Sequence, residues 1–152
     1  MTTYQTTSLP AVTLLGYPGA AATQAEVPDI VGPLFGRLLG TMQQLGLDPD
    51  QPTTAWYGGT GEQTELGVGL PADEVPDGVP TDLQPTTLDA ADRAVVVRHT
   101  GTLDGIGPAW AALHEHVGAQ GFTPAGPCRE VYLAGSMDQP DSWVVDLQQP
   151  VA

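Results

Sequence analysis

Residues 29–57 and 104–132 match one another without a gap at an offset of 75. Asp29, Gly32, Pro33 and Leu38 recur as Asp104, Gly107, Pro108 and Leu113, and Gly46, Pro49, Pro52 and Tyr57 recur as Gly121, Pro124, Pro127 and Tyr132. Phe35 falls on Trp110. A chance match of about one in 15 positions would give roughly two identities in such a window. A chain that repeats itself at this length is built from two copies of one supersecondary unit. The units run over about 10–71 and 90–151, with a Pro-, Asp- and Thr-rich linker over 72–89 that holds one short strand near Asp82–Leu88.

Within each unit the pattern reads strand, helix, strand, strand. Val12–Gly16 and Ala94–His99 are β-prone runs. Val31, Leu34, Phe35, Leu38, Met42 and Leu45 recur at helical spacing, as do Ile106, Trp110, Leu113 and Val117. Gly46 and Gly121 suit the left-handed position that ends a helix, and Pro33 and Pro108 suit a first turn. Thr53–Tyr57 with Glu65–Leu70, and Arg129–Ala134 with Ser142–Gln148, give two hairpins, turning at Gly58–Gly61 and Gly135–Asp141. A unit of about 60 residues cannot bury its own faces. The expected fold is therefore α+β: a single domain of duplicated β-α-β-β units with pseudo-twofold symmetry. It has an antiparallel sheet, two main helices and a central groove for a ligand.

Charge narrows the partners. Four Lys+Arg stand against 18 Asp+Glu, for a net charge of −14, and lysine is absent. Such a surface repels phosphate backbones and anionic lipids, so neither nucleic acid nor membrane is an expected partner. No segment approaches the roughly 20 apolar residues of a membrane span, and no signal peptide is visible, so the expected location is the cytoplasm. One cysteine, Cys128, excludes an internal disulfide or a thiolate-clustered metal, and reads as a packing residue. His114 and His116 point about 200° apart on a helix and cannot share one ion. With no HExxH motif, no metal and no cofactor are expected.

Strand parity places Glu130 and Tyr132 on one face, and the repeat puts Ala55 and Tyr57 in the matching places. One copy carries a carboxylate where the other carries a methyl. A mid-strand carboxylate among aromatic rings suits a flat organic cation, and once drawn out of water it also suits acid–base work. The other reading is an edge-strand glutamate paired with Arg129 or Arg98. Trp110 is either a core residue or a pocket wall, and Phe35, Trp143, Met42 and Glu65 are further candidates for the groove. Trp56, of opposite parity to Tyr57, is expected to pack under a helix.

The run Ala94–Gly101, then Gly107-Pro108-Ala109-Trp110-Ala111-Ala112-Leu113, then Arg129-Glu130-Val131-Tyr132-Leu133, then a last strand ending Gln149-Pro150-Val151, resembles the GyrI-like small-molecule-binding family. This family includes the effector-binding domains of AraC- and MerR-type multidrug regulators. The resemblance implies a stand-alone member, with Glu130 in an aromatic cavity beside Tyr132 and Trp110. It implies binding of a hydrophobic, aromatic or cationic compound. The alternative it carries is a cofactor-independent, metal-independent hydrolase of cyclopropane-containing natural products; there Glu130 would position or activate water, and Tyr57 or Tyr132 would orient it or stabilise charge. Whether the chain is an enzyme stays open. A third reading is an acidic module that docks on a basic protein, which no specific residue supports.

Overall fold

A computed structural model describes residues 3–58, 64–77, 82–136 and 138–152. Eight strands form one open antiparallel sheet: β1 (Tyr4–Leu9), β2 (Val12–Ala21), β3 (Thr53–Gly58), β4 (Thr64–Pro71), β5 (Gln84–Leu88), β6 (Ala91–Gly101), β7 (Cys128–Ser136) and β8 (Gln139–Pro150). Helix α1 (Val27–Gln44) follows β2, and α2 (Ile106–Ala119) follows β6. The strand order is β1-β6-β8-β7-β3-β4-β2-β5. The two units meet at β3 and β7, where Ala55 lies opposite Glu130. These residues are repeat equivalents, so the pseudo-twofold axis passes between them.

Both helices lie on one face of the sheet. Under α1 the core holds Leu38, Met42, Ala55, Val68 and Leu70; under α2 it holds Val95, Leu113, Val117, Val145 and Leu147. Leu38 and Leu113, Met42 and Val117, and Leu70 and Val145 are matched at the repeat offset, and all six are buried. Each such leucine contributes about 1.5–3 kcal/mol by leaving water. Gly46 (φ +71°) and Gly121 (φ +78°) end the two helices as expected. Their N–H groups bond Gln43 and Gly118, and the next N–H groups bond Met42 and Val117, which is a Schellman cap in each copy.

Several details differ from the sequence reading. Each unit is β-β-α-β-β: the first gains the leading strand β1, and the short strand expected near Asp82–Leu88 is β5, the leading strand of the second. The strand β1 is polar along Gln5–Ser8 and lies at a sheet edge, so no apolar alternation marks it. The leading strands are exchanged: β1 pairs with β6, and β5 pairs with β2. The two short links that make this exchange are held together by buried Arg129, which donates to Pro10 O (3.1 Å) and Asp89 O (2.6 Å). Helix α1 begins at Val27, with Pro28 in its first turn, so Pro33 lies one turn further in. Trp56 does not pack under a helix. Its strand parity turns it to the opposite face, where its ring covers Gly67; a Cβ there would sit 2.7 Å from Trp56 Nε1. The first hairpin turn, from Gly59 to Gly61, and Glu62 lie outside the described residues. The second hairpin is tighter than expected, because β7 runs on to Ser136 and β8 starts at Gln139.

Candidate functional site

Each helix carries two apolar stripes. One, Leu38 and Met42 on α1 and Leu113 and Val117 on α2, faces the sheet. The other turns towards the opposite unit: Val27, Val31, Phe35 and Leu39 on α1, and Ile106, Trp110 and His114 on α2. Between these stripes, above β3 and β7, lies a cleft of about 1290 Å³. Its walls are largely paired by the repeat: Val31 with Ile106, Gly32 with Gly107, Phe35 with Trp110, Leu39 with His114, and Tyr57 with Tyr132. The cleft is therefore the pseudo-twofold seam itself. Leu39 (47% exposed) and Leu103 (37%) are the large apolar side chains left exposed among the described residues, and both line it. Exposed apolar surface gathered in one concavity marks a binding site more often than scattered leucines do.

Glu130 lies at the centre of the floor and is 4% exposed. Tyr57 donates to its Oε1 at 2.9 Å, and Tyr132 donates to the same oxygen at 2.7 Å. Trp110 Nε1 donates to Oε2 at 2.6 Å. The rings that bond the carboxylate are thus contributed by β3, β7 and α2. Phe35 meets Tyr132 edge-on at 5.0 Å, and Tyr132 meets Trp143 edge-on at 6.2 Å. Burial, reinforced by the negative charge of Glu130, pushes the ionisation of Tyr57 and Tyr132 far above the ordinary tyrosine range. Both phenols remain hydrogen-bond donors at neutral pH. The same two causes push the Cys128 thiol up to about 12, so it is inert at neutral pH.

Among the described residues Glu130 has no cationic partner. Arg37 pairs with Asp82 at 2.5 Å, and Arg98 pairs with Asp146 at 2.8 Å. The Arg93 guanidinium lies 5.3 Å from the Phe122 ring centre. Arg129 points to the far face, against Pro10 and Asp89. These are all the arginines of the chain, and it has no lysine. The ion-paired edge-strand reading of Glu130 is therefore set aside. What remains is a buried carboxylate, bonded only by neutral donors, that faces an apolar cleft.

No protein-family model matches the chain, and no curated protein matches it by sequence. Solved structures do match in shape. SAV2435 bound to tetraphenylphosphonium aligns with a TM-score of 0.74 at 14% identity, over 99% of this chain and 94% of that one. The EcmrR C-terminal domain aligns with a TM-score of 0.66 at 18% identity, over 100% and 98%. A hydrolase encoded by lin2189 from Listeria innocua aligns with a TM-score of 0.56 at 14% identity, over 98% and 91%. The fold is GyrI-like.

Within this GyrI-like fold, the structure brings Glu130, Tyr132, Tyr57, Trp110, Phe35 and Trp143 into one cleft. Two expected residues lie elsewhere. Met42 is buried in the core beneath α1, because it falls on the sheet-facing stripe. Glu65 is exposed on the opposite face, because Leu66 takes the inward position of β4. The cleft also holds His114, Cys128 and Ser136, which the sequence reading set aside, and Asp50, which it did not single out. His114 stacks on Trp110 and bonds Gln149 Oε1 through Nε2 at 3.1 Å. The offset of 75 pairs His114 with Leu39, which was the available clue. Among the described residues no three His, Cys, Asp or Glu side chains are grouped to hold a metal, and no helix is long and apolar enough to cross a membrane.

Proposed function

We propose that this protein binds a lipophilic, aromatic cation in the cleft, with Glu130 as its counter-charge. One observation carries the reading: a buried carboxylate faces an aromatic, apolar cleft while every arginine is engaged elsewhere. A carboxylate so placed is costly until a cation arrives, which is how a site selects for positive charge. The rings add stacking and cation–π attraction, about 2 kcal/mol for a desolvated contact. The tetraphenylphosphonium bound to SAV2435 supports the same class of ligand. The test is a fluorescence titration with rhodamine. Glu130→Gln is expected to weaken binding by roughly five- to thirtyfold, that is about 1–2 kcal/mol. Absence of binding by both folded proteins overturns the reading.

A second reading is a metal-independent hydrolase acting on cyclopropane-containing compounds in the same cleft. The likeness to the Listeria hydrolase favours it, as does the bonding of Glu130. An ionised carboxylate offers about four acceptor sites, and three are filled here, which leaves one on Oε2 for a water. Tyr57, held protonated, would stabilise developing negative charge by turning its O–H from Glu130 Oε1 to the substrate. Chromatography of a cyclopropane substrate after incubation distinguishes turnover from binding.

A further inference from the structure

The cleft has a second acidic group, at one end rather than at the centre. It runs along the β3–β7 pair, in which Tyr57 lies opposite Cys128 and Thr53 lies opposite Tyr132. Gly58, Thr64 and Cys128 line one end; Asp50, Gln51 and Ser136 line the other. Asp50 is exposed, and its carboxylate has no hydrogen-bond or ion-pair partner among the described residues. Its own N–H donates to Asp48 Oδ1 at 2.9 Å, and Gln51 Nε2 donates to Glu74 Oε2 at 3.2 Å, so the loop that carries it is tied at both sides. The repeat equivalent of Asp50 is Ala125, which does not line the cleft, and among the described residues that do, the carboxylates are Glu130 and Asp50.

The strand geometry bounds how far Asp50 lies along the cleft from the level of Glu130. Asp50 precedes Ala55, the residue opposite Glu130, by five positions. Even a fully extended chain would place Asp50 no more than about 17 Å from Ala55. The cleft volume of about 1290 Å³ also exceeds the 300–1,000 Å³ or so typical of a site for one drug-sized ligand. A compact monocation over Glu130 leaves the Asp50 end unfilled.

We infer that the cleft is built for elongated dications, with one aromatic cationic head over Glu130 and the second cationic group at Asp50. The inference rests on the cation-binding reading above and specifies the ligand class for that site. The two carboxylates act differently. Glu130, out of water, supplies most of the selectivity for charge. Asp50, in water, adds a weaker attraction that salt screens. The apolar rim at Leu39 and Leu103 covers the hydrocarbon between the heads.

The test is isothermal titration with dequalinium, in which a decyl chain joins two quinolinium heads, and with its single-headed N-decylquinolinium counterpart. Asp50→Asn keeps the backbone bond to Asp48 and should fold normally. It is expected to weaken dequalinium by about three- to fivefold, and the single-headed compound by less than about 1.5-fold. The difference should shrink between low and high salt. Equal effects on the two compounds, or none on dequalinium, overturn the inference. If both compounds bind the wild type and lose affinity in Glu130→Gln, the cation-binding reading stands while this inference falls. If neither compound binds the folded wild type, both fall.

Discussion

The two repeat units share one plan and diverge in polarity at the cleft. The first contributes Phe35, Leu39, Thr53, Ala55 and Tyr57; the second contributes Trp110, His114, Cys128, Glu130 and Tyr132 at matching positions. At three of these five positions the second unit replaces an apolar group with one that can donate, accept or carry charge; the tyrosines are unchanged, and Cys128 stands where the first unit has Thr53. Trp110 adds an N–H to an aromatic ring, His114 replaces Leu39, and Glu130 replaces Ala55. The duplicated scaffold forms a box of rings, and the divergence of one copy gives that box its charge. Tyr57 shows how the copies cooperate. It comes from the first unit, yet it donates to the carboxylate of the second, so neither unit holds a complete site.

If the scaffold is symmetric and only the cleft is not, equivalent core substitutions should cost alike. Leu38→Ala and Leu113→Ala each remove a fully buried side chain and are each expected to destabilise by about 2–5 kcal/mol. Urea unfolding should place the two costs within about 1 kcal/mol of each other. A larger gap would mean that the units differ in their cores as well as in their cleft residues.

The paired phenols sharpen the comparison through pH. Tyr57 and Tyr132 ionise well above the ordinary value when folded, chiefly because they are buried. The unfolded chain ionises them near pH 10 and so binds fewer protons than the native state above that point. Their contribution to stability is therefore intact below about pH 10 and is lost as pH rises towards the raised native values. The slope is at most about 1.4 kcal/mol per group per pH unit. Urea midpoints measured from pH 8 to pH 11 should fall steeply above pH 10 in the wild type. The fall should be about equally reduced in Tyr57→Phe and Tyr132→Phe. A reduction in one variant alone would show that the two rings are not equivalent partners of Glu130.

Much of this arrangement is legible in the sequence, and its gaps have physical causes. The offset of 75, the helix stripes and the terminal glycines Gly46 and Gly121 gave the units, because each reports a local requirement of the backbone or of one buried face. Parity placed Glu130 with Tyr57 and Tyr132, because a strand fixes which side chains share a face. Parity does not say which face the helices cover, and Trp56 was misplaced for that reason. Met42 was misplaced because α1 has two apolar stripes, and periodicity does not say which of them meets the sheet. The exchanged strand β1 is polar, and its pairing with β6 lies far away in the chain, so nothing local announces it. Asp50 lies in a loop, where no periodicity assigns a direction.

The central claim is that one carboxylate, added to one copy of a symmetric box, makes the cleft a cation site. The most direct measurement is a cycle of four affinities: tetraphenylphosphonium and uncharged triphenylphosphine oxide, each titrated against wild type and Glu130→Gln. The expected result is that the substitution weakens the cation by about five- to thirtyfold and leaves the neutral compound within about twofold, a coupling of about 1–2 kcal/mol. Equal weakening of both compounds would contradict the claim. It would mean that Glu130 shapes the cleft by holding Tyr57, Tyr132 and Trp110, and that its charge does not select the ligand.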